Sequence, residues 1–343
     1  MIQAAFSNRI QQVIKQYVQK GIKHHPLQFG FKKDRTVQEA AILVRLLLER
    51  ANRRQEPLML TSKDCLKCYD RVPGWVMEYL YIQKGVPEGA RTLMKQLLEP
   101  GPVEVRTGLG WLAIGDHAFG IGQGSILVIL HIGVFFDCLL YQQNEGPGLV
   151  IAEHRQGGED TGVGSIKFVD DGLDLANTKE GIRHRTAKSN RFMGKHGTTS
   201  TYGAHKSFFL QVNMDEKIGP PELVNGEGIP RPVTVVAPAE GFKHLGVQQS
   251  TEDQWSQTLQ KLWNKTETEA QIAISNRLTI KEANYLIECV WAPRVAYRAS
   301  VADIGNLTAE WDKLARKVLR AAAKISYGAP NEIYHNPILG IGV

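Results

Sequence analysis

Cysteine is scarce in this chain of 343 residues: four in all, Cys65, Cys68, Cys138 and Cys289. So few thiols, irregularly spaced, exclude a disulfide framework for a protein of this size and predict an intracellular location, cytoplasm or nucleus. Cys65 and Cys68 form a C-x-x-C, but no second Cys or His pair stands at zinc-ligand spacing, which argues against zinc or thiol redox chemistry. Long apolar runs are missing too. The longest, Ile126 to Leu130 with Gly133 to Phe136 behind it, is broken by His131 and Asp137, and Met1 to Arg9 lacks the apolar core of a signal peptide. No membrane span is therefore expected. Internal repeats and low-complexity tracts are also absent.

What is present is an ordinary globular composition, 43% hydrophobic and 22% charged, in a chain long enough to bury a core. The charge is unevenly placed. Of a net +6, residues 1–60 carry eleven Lys and Arg against four Asp and Glu, so the remainder is close to neutral. A basic region of this kind suits a phosphate backbone, although a solvated basic helix has the same composition.

Periodicity predicts a helix over residues 3–20, ended by His24-His25-Pro26, and a basic loop through Arg35. A second helix follows, capped by Thr36 with Glu39 three residues on, and runs to Asn52. Leu58 to Asp64 reads as a strand, and Pro73 opens a helix that Gly85 ends. A helix over 88–98, a β-ribbon from Val103 to Phe119, a glycine-rich turn over Gly120 to Ser125 and an apolar helix from Ile126 to Gln142 come next. Ser165 to Val169 and Leu173 to Ala176 form a hairpin, Thr178 to His196 a helix, and 206–212 and 242–248 are strand candidates. Helical patterns over 253–275, 279–299 and 309–323 predict a helical C-terminal domain, with a boundary near residue 250.

Two adjacent carboxylates, Asp170 and Asp171, end the run Ile166-Lys167-Phe168-Val169, and Asp64 ends another apolar run about a hundred residues upstream. Strands delivering these side chains to one point would hold two divalent cations, which clamp the attacking and leaving oxygens of a phosphoryl transfer. Asp70, six residues past Asp64, lies beyond the strand and is not expected to reach the same point, so one of the two is structural. Tyr69 presents a planar ring suited to floor a nucleotide pocket.

These segments resemble the reverse transcriptases, and among them the non-LTR retrotransposon (LINE-like) type, related to group II intron enzymes. Gln28-Phe29-Gly30-Phe31 with Arg35 resembles the fingers motif, Asp64 to Pro73 motif A, Gly120 to Ser125 motif B, and Phe168-Val169-Asp170-Asp171 motif C. His205-Lys206-Ser207 is similar to the motif D lysine region, and Phe242 to Val247 to the primer grip. The order and spacing of all six carry the resemblance. It implies an α+β right-hand polymerase: fingers over 1–57, a palm with an antiparallel sheet over 58–250, and a helical thumb over 251–343. It implies RNA-directed DNA polymerase activity, with RNA template, DNA primer and deoxynucleoside triphosphates as partners, in a larger retroelement polyprotein.

Carried over by position, Asp64, Asp170 and Asp171 are the catalytic carboxylates holding two Mg²⁺ (or Mn²⁺) ions, assisted by the backbone carbonyl of Cys65. Tyr69 is the steric gate; Gln123, Gly124 and Lys206 face the nucleotide, Lys206 as general acid for pyrophosphate. Gln28, Lys32, Lys33 and Arg35 contact the template, and His244, Leu245 and Gly246 the primer.

The chain departs from the family at Gly122, where proline is usual, and in lacking the Ser-Pro that commonly follows motif B. The basic R-P-I segment that precedes the first helix in the family has no counterpart, so an excerpt of a larger protein or a decayed copy is expected. Lys63 stands beside a metal ligand, where it either snorkels outward or competes with the cation. A nucleic-acid-binding fragment without catalysis, maturase-like or decayed, is the alternative reading.

Overall fold

The computed structural model describes residues 2–65, 68–99, 102–108, 110–116, 120–121, 125–152, 161–195, 207–224, 228–251, 256–305 and 307–326. Local chemistry sets the elements. Helix α1 (Ile2–Gly21) buries Ile14 and Val18, four residues apart on one face. Helix α2 (Val37–Arg54) starts in a capping box: the Thr36 hydroxyl accepts the Glu39 N–H at 3.2 Å, and the Glu39 carboxylate accepts the Thr36 N–H at 2.9 Å. Strand β1 (Leu58–Lys63) and the short α3 (Cys68–Arg71) precede α4 (Gly74–Gln83) and α5 (Glu88–Leu98). Pro73 and Pro87 stand at the starts of α4 and α5, where a missing N–H costs nothing. The expected ribbon is β2 (Pro102–Thr107) with β3 (Gly110–Asp116).

Helix α6 (Val128–Asn144) is buried on almost every side, as its apolar sequence requires. A small ribbon, β4 (Val150–Ala152) with β5 (Thr161–Val163), leads into the hairpin β6 (Ser165–Phe168) and β7 (Asp171–Ala176), followed by α7 (Lys179–Lys195). Then come β8 (Phe208–Val212), the ribbon β9 (Glu222–Val224) with β10 (Pro230–Pro232), and β11 (Thr234–Val235). One sheet has the order β11-β8-β1-β7-β6, antiparallel except for the β11–β8 pair. Phe135, Phe136 and Leu139 of α6, Ile182 and Phe192 of α7, Val76 and Met77 of α4 and Met59 of β1 share one core cluster. Each such side chain contributes roughly 1.5–3 kcal/mol on burial.

The chain divides into two compact units: Met1–Ala40 with Leu46–Pro238, and Ala41–Arg45 with Ala239–Val343. The first holds the five-stranded sheet, and residues 1–40 belong with it rather than forming a body of their own. The second contains β12 (Phe242–His244), β13 (Val247–Gln249), α8 (Ser256–Ser275), α9 (Ile280–Tyr285), a π-helical turn over Leu286–Trp291, α10 (Ala292–Ala299) and α11 (Leu307–Ala323). The division at Pro238 comes earlier than the composition shift near residue 250 suggests. The β12–β13 hairpin is tied inside the second unit, where Arg45 donates to the Ser250 carbonyl at 3.1 Å and Gln249 to the Ala41 carbonyl at 3.2 Å. Ala270, Ala273, Ala283, Ile287, Trp291, Val318 and Leu319 form its helical core. No described helix is long and apolar enough to cross a membrane.

Candidate active site: three aspartates at the end of the sheet

β1 and β7 run antiparallel with Lys63 opposite Gly172 and Ser62 opposite Leu173. Asp64 follows Lys63 directly, and Asp171 directly precedes Gly172. The β6–β7 hairpin closes with Phe168 opposite Asp171, leaving Val169 and Asp170 as its two-residue turn. β1 and the β6–β7 hairpin thus end side by side, with Asp64 following β1 and Asp170 and Asp171 at the hairpin turn. Asp64 and Asp170 are half-buried and Asp171 is exposed.

Burial raises the Asp170 carboxyl above its ordinary range, and the charge of Asp64 adds to the rise. The backbone N–H groups of Asp170 and Asp171 and the Lys167 ammonium oppose it. Asp70 sits exposed on α3 and is not among the charges acting on Asp170, so Asp64 is the member of the pair that joins the site. The Tyr69 phenol is pushed up to about 12, first by burial and then by the charges of Asp170, Cys68 and Asp171. The turn expected as motif B begins on the Tyr69 backbone: Ile121 N–H donates to the Tyr69 carbonyl at 2.8 Å. A Cβ at Gly120 (φ +104°) would stand 2.9 Å from that oxygen and from the Asp70 Cα. Gln123, Gly124 and Lys206 lie outside the described residues.

Cys65 and Cys68 are buried free thiols; Cys68 is held protonated by its hydrogen bond with Cys65 and by burial. Lys63 resolves the choice posed by its position. Strand alternation turns it to the opposite face from Asp64, where it is buried and paired with Asp174 and Ser189. Gln143 of α6 donates to both Asp174 oxygens at 3.1 and 3.2 Å and to Ser189 at 2.8 Å, and Ser165 bonds Asp174 as well. Lys167 is also buried, with its ammonium 4.2 Å from the centroid of the Phe136 ring and no hydrogen-bond partner among the described residues.

Gln28 requires correction. It is fully buried, and its amide is committed to the backbone of Val169 and Gly30, so it touches no template path in this structure. Lys32 likewise turns inward, donating to the His25 carbonyl at 2.7 Å beside Asp137, and burial lowers its pKa to about 8. Lys33 is exposed, and the Arg35 guanidinium lies 5.3 Å from the Phe29 ring centroid. The His24-His25 pair does have an acid partner, which sequence spacing hid: Asp137 of α6, buried, bonds the His24 ring and accepts the His25 N–H at 3.2 Å.

In the second unit His244 is buried, which lowers its pKa to about 4, and the Leu245 carbonyl accepts the Tyr297 hydroxyl. Of the expected primer-grip segment, Lys243 and Gly246 line a cavity of about 220 Å³, together with Lys261, Lys265, Arg294, Arg298 and Thr258 among others. Among the described residues no carboxylate lines it, and Arg294 pairs with Glu269 at 2.7 Å. The Thr258 hydroxyl is buried without a hydrogen-bond partner among the described residues.

Three aspartates offer only oxygen donors, the set that suits Mg²⁺ or Mn²⁺ rather than zinc. As arranged here, no group of three His, Cys, Asp or Glu side chains among the described residues is positioned to hold a metal ion.

The fold is that of an α+β protein with a largely antiparallel sheet, compatible with a right-hand polymerase. No protein-family model and no curated protein matches the chain. Among solved structures it is similar to Candida tropicalis telomerase lacking its C-terminal domain, at 12% identity and a TM-score of 0.42, over 67% of this chain and 45% of that one. It is similar also to Candida albicans telomerase in complex with a TWJ fragment of telomeric RNA, at 9% identity and a TM-score of 0.41, over 98% and 56%. The chain spans about half the length of these structures.

Proposed function

We propose that this chain is the polymerase core of an RNA-directed DNA polymerase of the non-LTR retrotransposon type. The observation that supports the reading is the β1–β7 register, in which Lys63, the residue before Asp64, lies opposite Gly172, the residue after Asp171. Two divalent cations, when bound, activate a primer 3′-hydroxyl and stabilise the departing pyrophosphate. Asp64 and Asp170 would hold them, and Asp171 and the Cys65 carbonyl would complete the donor set. The Tyr69 ring crowds the 2′ position of the incoming nucleotide. Gln123 and Gly124 flank that nucleotide, and Lys206 protonates pyrophosphate. Lys33 and Arg35 meet template phosphates, and the cationic cavity beside Gly246 meets primer phosphates.

The test is primer extension on an RNA template with a DNA primer, Mn²⁺ or Mg²⁺ and deoxynucleotides, beside the Asp170→Asn/Asp171→Asn variant. Extension by the wild type and none by the variant is expected. A second reading, a nucleic-acid binder without catalysis, is favoured by the lack of a preassembled three-ligand group among the described residues. It predicts salt-sensitive duplex binding by both proteins and extension by neither.

A further inference from the structure

Val169 occupies an unfavourable backbone position. It is the first residue of the β6–β7 turn and has φ +63°. Two-residue hairpin turns with positive φ at that position prefer glycine, and a β-branched side chain suits the left-handed region poorly. Something outside the hairpin must hold it there.

The segment Leu27–Gly30 lies alongside β6 and supplies that hold. Phe29 N–H donates to the Lys167 carbonyl at 2.8 Å, and Lys167 N–H donates to the Leu27 carbonyl at 2.9 Å. Between these bonds the Gln28 side chain, fully buried, reaches the turn itself. Its carbonyl oxygen accepts the N–H of Val169 at 3.1 Å and of Gly30 at 3.2 Å, and its NH₂ donates to the Val169 carbonyl at 3.4 Å. Both backbone polar groups of the strained residue are thus held by one amide. Gly30 closes the fit: a Cβ there would stand 2.5 Å from the Val169 nitrogen and from its Cγ2.

We propose that Gln28 is a positioning residue for the carboxylate site, clamping Val169 in its left-handed conformation and so fixing the direction in which the next residue, Asp170, presents its side chain. The proposal rests on the metal-site reading above for its consequence, though not for its geometry. The clamp needs an acceptor and a donor on one planar group at this reach. Glutamate lacks the donor, methionine lacks both, and asparagine is one methylene short.

The logic predicts its own rescue. Glycine at position 169 adopts positive φ without strain, so Val169→Gly makes the clamp dispensable. Four proteins decide the matter by Mn²⁺ titration followed by electron paramagnetic resonance of the free ion: wild type, Gln28→Met, Val169→Gly and the double variant. Gln28→Met is expected to weaken Mn²⁺ binding by about tenfold or more, in the range for lost support of a ligand, with the double variant returning to within about threefold of wild type. Unchanged affinity in Gln28→Met, or a double variant as weak as Gln28→Met, overturns the proposal.

Amide hydrogen exchange gives the second readout and needs no metal. In Gln28→Met the Val169 N–H is expected to exchange at least about tenfold faster while the amides of β1 keep their protection. Equal loss throughout the sheet means a general structural role and overturns the clamp. Should the wild type bind no Mn²⁺, or Asp170→Asn/Asp171→Asn bind it equally well, the metal-site reading fails and the exchange result still decides for or against the clamp.

Discussion

Gly30 illustrates how one atom governs the site. The Leu27–Gly30 segment approaches the aspartate turn so closely that the Gly30 α-carbon has no room for a substituent, with Val169 at 2.5 Å from a Cβ placed there. The neighbour in the way is backbone as well as side chain, so it cannot rotate aside. Gly30→Ala is therefore expected to destabilise the first unit by about 1–3 kcal/mol, the usual cost of overpacking, read as a lower urea midpoint at unchanged slope. Wild-type stability in that variant would mean that the Leu27–Gly30 segment is not packed on the turn as described. The residues of this clamp were visible in the sequence as a motif, but their task was not. A glutamine followed by a glycine looks the same whether it faces a template or the interior. Burial and bond partners decide between the two, and both depend on contacts 141 residues apart in the chain.

At the scale of elements, the sequence announced what is local and concealed what is not. Thr36 and Glu39 marked the start of α2 because both partners of a capping box lie within one turn. The two apolar runs ending in aspartate marked β1 and the β6–β7 hairpin for the same reason. The π-helical turn at Leu286–Trp291 had no such signature; Pro293, just past it, lacks the N–H that a regular α ladder needs. The polar layer beneath the sheet was equally hidden. Lys63 from β1, Asp174 from β7, Gln143 from α6 and Ser189 from α7 come from four elements, and each residue alone reads as a surface side chain. All four are essentially inaccessible to solvent, so the layer locks the sheet to its helices only while every member is present. Lys63→Met leaves Asp174 as a buried charge without its cation and is expected to cost about 3–5 kcal/mol, whereas Lys63→Met with Asp174→Leu recovers most of that loss. Thermal unfolding of the two variants checks this. A double variant no better than the single one would mean that the layer acts through its shape rather than its charge.

At the scale of the whole molecule, the net charge of a segment differs from the charge it leaves free to meet a phosphate. The basic excess of residues 1–60 is partly used internally: Lys32 caps a carbonyl beside Asp137, Arg45 holds the Ser250 carbonyl, and Arg50 pairs with Glu56 at 3.1 Å. The second unit instead draws five cations around one cavity from segments that are individually unremarkable. Local charge after folding, not the sum along the chain, sets the counterion release that drives binding to a phosphate backbone. Lys261 and Lys265 of α8 are both exposed at that cavity. If they neutralise duplex phosphates, Lys261→Ala/Lys265→Ala lowers the steepness of log affinity against log salt by about 2, since each phosphate contact contributes about 0.9. Lys313, already paired with Glu310 at 2.6 Å on α11, is the control whose alanine variant leaves the slope as it was. Fluorescence anisotropy with a labelled duplex over a range of salt concentrations measures both. A slope that drops equally in the two variants would assign binding to diffuse charge, and one that drops in neither would remove this cavity from the path of the nucleic acid.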